Sequence, residues 1–204
     1  MKIENGILTE LDCNTNNLVF PRGMSSIGKY AYHEFGLTEE IETIEVEEGN
    51  EYYHSKNNCL IETATKTLVM GCKNSVIPDD GSVTKIGKFA FNGCMGATRM
   101  EIPEGITEIG DMAFAFTDYE NISIPESVTI LGELCFAINP QLKSVTIKGK
   151  DTKFCDIVFG TTIEYLEVYK NEFPQGNDNI KIYAPANSTA IAYAQKFNID
   201  YEEI

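Results

Sequence analysis

Positive charge is scarce in this chain. Its 204 residues hold 16 lysines and arginines against 31 aspartates and glutamates, a formal net charge of −15. A nucleic-acid binder needs a basic footprint, and an anionic membrane surface repels acid, so both are disfavoured as partners. Histidine is scarcer still. His33 and His54 are the only two, and neither has partners at ligand spacing or in a nucleophile, base and orienter set. No G-x-S-x-G elbow occurs. Gly28-Lys29 and Gly87-Lys88 lack the preceding glycine and the following hydroxyl of a phosphate loop. The six cysteines (Cys13, Cys59, Cys72, Cys94, Cys135 and Cys155) contain no C-x-x-C pair, which argues against zinc. Acid pairs such as Glu47-Glu48 and Asp79-Asp80 lack the spaced oxygens of a calcium loop. No catalytic residue, cofactor or metal site is therefore expected. Long apolar runs are missing as well, so no stretch approaches a membrane span. Met1 to Gly6 turns polar too soon for a signal peptide, from which a cytoplasmic chain is expected.

What the chain does have is a repeat. Ser26–Tyr32, Lys85–Phe91, Glu108–Phe114 and Ile130–Phe136 align on Gly28, Gly87, Gly110 and Gly132, the last three 23 and 22 residues apart. Ahead of the glycines runs a second column, Phe20-Pro21, Ile77-Pro78, Ile102-Pro103 and Ile124-Pro125. Proline precedes glycine by seven residues in three units and by nine in the Pro78 unit, where Asp79 to Gly81 enlarges the turn. Met100–Ile102, Ile122–Ile124 and Val145–Ile147 alternate apolar and polar residues with the period of a half-buried strand. Proline cannot donate to a ladder and ends each strand. The glycine either takes a backbone shape closed to side-chained residues or lets two coils approach closely. Ala113 and Phe114 then fill the interior. No unit could bury its apolar face alone, so a stacked solenoid with a shared core follows. Cys94 and Cys135 stand in or beside the Ala-Phe column, so the thiols are expected to be free and mostly buried.

This double column resembles the BspA-type leucine-rich repeat family of bacteria and some protists. The family unit reads apolar-x-apolar-Pro-x-x-Val-x-x-Ile-Gly-x-x-Ala-Phe-x-x-Cys. Met100 to Ala115 match it nearly throughout, and Phe91 to Cys94 supply the trailing cysteine. Tyr32 and Cys135 depart from it. Phe154 to Phe159 has lost the glycine, so an irregular last unit is expected. The resemblance implies a right-handed, mostly β leucine-rich-repeat-like coil with short helical or irregular returns. It also implies a non-catalytic, adhesion-like role, and a secreted or cell-surface location as the alternative to the cytoplasm.

One solenoid domain over residues 1–204 is expected, with an N-terminal cap at 1–17, a hairpin insertion at 49–72 and a C-terminal cap at 186–204. The apolar runs Cys59–Ile61 and Thr67–Met70 mark the hairpin. Ala190, Tyr193, Ala194 and Phe197 recur at helical spacing, with Ser188 or Asn187 as cap and Asn198 as terminator. Further rungs are expected at Leu166–Val168 and Ile180–Ile182, giving one sheet of seven or eight strands. If the isoleucines point inward, Glu45, Glu101, Ser123, Thr146, Glu167 and Lys181 form an outward column, the predicted partner-binding face, with Val19 beside Glu45. Tyr52, Tyr53, Tyr165 and Tyr169 add aromatic surface. The expected partner is another protein or a cell-surface component, with no nucleic acid and no membrane insertion. The alternative is a structural spacer or assembly subunit without a ligand. The oligomeric state stays open.

Overall fold

The computed structural model describes residues 1–11, 15–28, 41–96, 100–159 and 180–204. Among the described residues the chain is a mostly β solenoid with one short helix, near the C-terminus. It opens on a hairpin, β1 (Lys2–Glu4) and β2 (Ile7–Glu10), turned through Asn5 and Gly6 at φ 52° and 80°. Asn-Gly is the residue pair that a two-residue primed turn demands, and it closes this opening hairpin. β3 (Asn17–Phe20) is the first long rung and β4 (Ser26–Ile27) the first short one, pairing in parallel with β2. β5 (Thr43–Val46) lies parallel to β3.

The insertion is a three-stranded meander, one strand more than the sequence suggested. β6 (Tyr53–Lys56), β7 (Cys59–Glu62) and β8 (Thr67–Met70) pair antiparallel, and Asn57 and Asn58, at φ 51° and 58°, make the first turn. β8 then pairs in parallel with β9 (Lys85–Ile86). The meander thereby joins a ladder of short strands directly ahead of the glycines: β9, β10 (Glu108–Ile109), then, beyond the long strand β11 (Asn121–Ile124), β12 (Ile130–Leu131). After β13 (Ser144–Ile147), β14 (Lys153–Phe154) ends that ladder. β15 (Lys181–Ala184), helix α1 (Thr189–Phe197) and β16 (Asp200–Glu203) close the chain.

The long rungs do not make the single sheet expected from the alternation. β11, β13, β15 and β16 form one four-stranded sheet, and β3 and β5 a separate pair. Between them the meander diverts the chain, and Met100 to Pro103 buries Met100 and Ile102 without entering a sheet. The rung at Leu166–Val168 lies outside the described residues.

Glycine is required for close approach, not for conformation. A Cβ on Gly110 would lie 2.7 Å from the Lys88 nitrogen and 2.9 Å from the Gly87 carbonyl carbon; one on Gly132 would lie 2.5 Å from the Asp111 nitrogen. Each glycine thus sits on the backbone of the turn before it, and its amide reaches back to that turn (Gly110 N to Ile86 O and Gly132 N to Ile109 O, both 2.8 Å). The left-handed conformation falls two residues later, on Phe89, Met112 and Leu134, at φ 59°, 52° and 55°. That costs about 1–2 kcal/mol for a residue with a side chain. It is held because each of these amides donates to the following turn, as Met112 N does to Glu133 O at 2.9 Å.

The core is a stack of rings. Phe91, Phe114 and Phe136 lie parallel at centroid spacings of 5.2 and 5.5 Å, and Phe159 continues at 5.9 Å. The last unit is therefore more regular than its missing glycine suggested. Cys155 takes the glycine position, and its amide makes the same bond, to Leu131 O at 3.1 Å. The buried residues three beyond each ring, Cys94, Thr117 and Asn139, turn the chain; Thr117 Oγ1 bonds Phe114 O and Asn139 Nδ2 bonds both Phe136 O and Phe114 O.

Helix α1 caps this column as predicted. Ser188 accepts from Ile191 N, and Asn198 ends the helix at φ 54°. Tyr193 stacks on Phe154 and lies tilted against Phe197, and its hydroxyl accepts from the buried Val158 amide at 3.0 Å.

Candidate partner-binding face

Strand alternation sets the outer face. On β11 and β13, Ile122, Ile124, Val145 and Ile147 are buried, which turns Asn121 and Ser123, Ser144 and Thr146 outward. The parallel register places Asn121 beside Ser144 and Ser123 beside Thr146. Ser144 Oγ donates to Asn121 Oδ1 at 2.7 Å, tying the two rungs on the outside. Glu101 is exposed on the neighbouring irregular rung.

Three of the six predicted face residues therefore come together. Glu101, Ser123 and Thr146 line one groove of about 730 Å³, which also takes in Asn121, Ser144 and Lys148. Its far rim comes from the meander and the turn after it, through Asn57, Val76 and Asp79. Val76 is 64% exposed, so the rim carries an apolar contact. The volume lies within the range of ligand clefts. Asp79, Glu101 and Glu120 bring carboxylates to the lining against one ammonium, Lys148, although Glu120 also pairs with Lys143 at 2.9 Å.

The other three residues stand elsewhere. Glu45 is exposed on β5 beside Val19, in the two-stranded sheet. Glu167 lies outside the described residues. Lys181 faces outward, but two residues out of the expected register: it pairs with Ser144, and the strand neighbour of Thr146 is Tyr183. The cause is that β15 buries Ile182 and Ala184 together, so Ile182 matches Val145 rather than Ile147. Lys181 Nζ bonds Glu202 at 2.6 Å, and that bond raises its pKa. Tyr52 is exposed, whereas Tyr53 is core; Tyr165 and Tyr169 lie outside the described residues.

Sequence reading missed Asn121, Ser144 and Lys148. The signal was present, because Asn121 and Ser144 stand two positions before Ser123 and Thr146 and share their face by the same period. Val76 and Asp79 reach the groove only because the meander folds beside the sheet.

Possible chemistry elsewhere is occupied by structure. His54 Nδ1 lies 2.9 Å from Thr63 Oγ1 across the meander, and His33 is outside the described residues. Cys59, Cys72 and Cys135 are free and buried, Cys94 is buried, Cys155 is free and exposed, and Cys13 is outside the described residues. Burial pushes the Cys59 thiol up to about 12 and that of Cys135 well above its ordinary value. Among the described residues no group of three or more His, Cys, Asp or Glu could hold a metal ion, and no helix is long and apolar enough to cross a membrane.

The model of the BspA type leucine-rich repeat region matches residues 2–66 and 68–192, in six copies. The chain belongs to this family. Two solved structures share its fold. One is a leucine-rich repeat protein from Eubacterium ventriosum, 19% identical, with a TM-score of 0.58 over 84% of this chain and 43% of the other. The second is the pneumococcal vaccine antigen PcpA, also 19% identical, with a TM-score of 0.54 over 93% of this chain and 56% of the other. This BspA-type chain thus spans about half the length of the solved structures it matches. No curated protein matches it. Leucine-rich repeat solenoids are generally non-catalytic.

Proposed function

We propose that this chain is a non-catalytic protein-binding module that meets its partner through the outer face of the sheet β11-β13-β15-β16. The observation that carries the reading is the groove of about 730 Å³ in which Glu101, Ser123 and Thr146 converge with Asn121 and Lys148. Solenoids use extended faces of this kind for recognition. The likeness in fold to a pneumococcal vaccine antigen supports adhesion or host recognition, and the acidic lining favours a partner with basic contacts. The test compares capture of partner proteins by the wild-type chain and by a Glu101→Lys, Thr146→Lys variant of equal stability. Loss of the captured species in the variant supports the face, and undiminished capture removes it.

A second reading, a spacer or assembly subunit, is favoured by β16. All four of its residues are exposed, and it forms one edge of its sheet. Light scattering over a concentration series separates the two readings, because edge-to-edge assembly makes the mass rise with concentration.

A further inference from the structure

The groove borders a strand edge. β11 is the terminal strand of its sheet, and its hydrogen bonds reveal which way its main chain points. Glu120 O accepts from Lys143 N at 2.7 Å, and Ile124 O accepts from Lys148 N at 3.1 Å. Backbone groups alternate along a strand, so Glu120, Ile122 and Ile124 turn theirs toward β13, while Asn121 and Ser123 turn theirs away, toward the groove. On that side the chain Met100 to Pro103 belongs to no sheet. Sheets protect such edges with charge, proline or a bulge. The opposite edge, β16, does so with Asp200, Glu202 and Glu203. β11 reads Asn-Ile-Ser-Ile and carries none of these devices within its span.

We propose that the β11 edge is an acceptor for an extended, cationic peptide segment, which adds as a further strand. The segment bonds the main chain of Asn121 and Ser123 and sets its basic side chains toward Asp79 and Glu101. Main-chain pairing supplies affinity in strand addition, and alternate side chains supply selectivity. The occupant is a peptide because the edge offers a peptide's own donors and acceptors, and it is basic because the carboxylates of Asp79, Glu101 and Glu120 outnumber the ammonium groups at the groove even with Lys143, the partner of Glu120, counted beside Lys148. Val76, at the rim, can take one apolar side chain. This proposal rests on the reading of the groove as the binding face.

The experiment is fluorescence anisotropy with a labelled decapeptide of alternating lysine and threonine. Its companions are the same peptide N-methylated at every second amide, in each of the two phases, and a glutamate-for-lysine analogue. The protein is used as wild type, Ser123→Ala and Ser123→Pro. Proline removes the edge-facing amide of Ser123 without touching a bond to β13. The expected result is wild-type-like binding by Ser123→Ala, binding about tenfold weaker by Ser123→Pro, the equivalent of one lost main-chain bond, loss of binding for one methylation phase only, and none for the glutamate peptide. Equal binding of both methylated peptides overturns strand addition, and it does so even if Ser123→Pro fails to fold. If Glu101→Lys and Thr146→Lys weaken binding while methylation in either phase has no effect, the groove stands as a side-chain site and the strand acceptor falls. Failure of the lysine peptide to bind the wild type overturns the cationic-peptide assignment and leaves the face to be tested with other partners.

Discussion

At the scale of single residues, the glycine column and the buried thiols make the sharpest tests. Gly110 has no room for a methyl group, because turn sits on turn at that point, whereas a Cβ on Gly23 would meet nothing within 4 Å. Gly110→Ala should therefore lower stability by about 1–3 kcal/mol through overpacking. Gly23→Ala should be neutral or stabilising by about 0.4–1 kcal/mol, because it restricts the unfolded chain. Denaturant midpoints of the two variants check the contrast, and equal midpoints would contradict the stacking of glycine on glycine. Cys59 tests burial through pH. Its single S–H lies within reach of the carbonyls of Asn57 and Val76, each 3.6 Å from the sulfur, and burial lifts its pKa from 9.0 to about 12. Above pH 9 the unfolded chain loses that proton while the folded chain keeps it. Stability should be intact below pH 9 and fall between pH 9 and 12, by about 1.4 kcal/mol per pH unit for each such group. Cys135 and Tyr119, also raised by burial, add in the same direction. Urea midpoints at pH 8 and pH 10 should converge in Cys59→Ala relative to wild type.

At the scale of elements, α1 was legible and its docking was not. Helical spacing, the serine cap and the terminal asparagine all follow from local rules, and the structure keeps each one. That Tyr193 satisfies a buried amide of the Phe159 turn depends on where the helix lands. Tyr193→Phe keeps the rings stacked but strands the Val158 amide, at a cost of about 1–3 kcal/mol. Hydrogen exchange should accelerate at residues 157–159 more than in the helix. Uniform acceleration throughout α1 would mean that the hydroxyl secures the helix rather than the turn. The meander is the converse case. Its runs Cys59–Ile61 and Leu68–Met70 are apolar at consecutive positions, which identifies strands buried on both faces but not what covers each face.

For the whole molecule, those two faces matter most. Cys59, Ile61 and Leu68 pack into the large core that runs on through the phenylalanine stack, whereas Leu60, Val69 and Met70 pack into a second core with Leu8, Phe20 and Ile44. The meander is therefore a wall between two interiors; β7 and β8 each serve both, while β6 gives Tyr53 to the second alone. Leu60→Ala and Leu68→Ala should each cost about 2–5 kcal/mol. Their effects should separate in space because solenoid stability is carried by neighbouring turns. Hydrogen exchange should rise chiefly in residues 7–46 for Leu60→Ala and in residues 83–136 for Leu68→Ala. Identical exchange maps would mean that the two interiors unfold as one.

The sequence by itself determined the period, the family, the phenylalanine column and the helical cap, because each arises from a choice repeated in register or made by near neighbours in the chain. Only the tertiary structure decided why the glycines are there, which strands share a sheet, how β15 shifts by two residues against β13, and that Val76 and Asp79 reach Glu101 and Ser123. Those outcomes depend on contacts between segments twenty or more residues apart, and they turn on how a detour of the chain is accommodated. Residue pattern records which side of a strand is buried; it does not record what lies against that side.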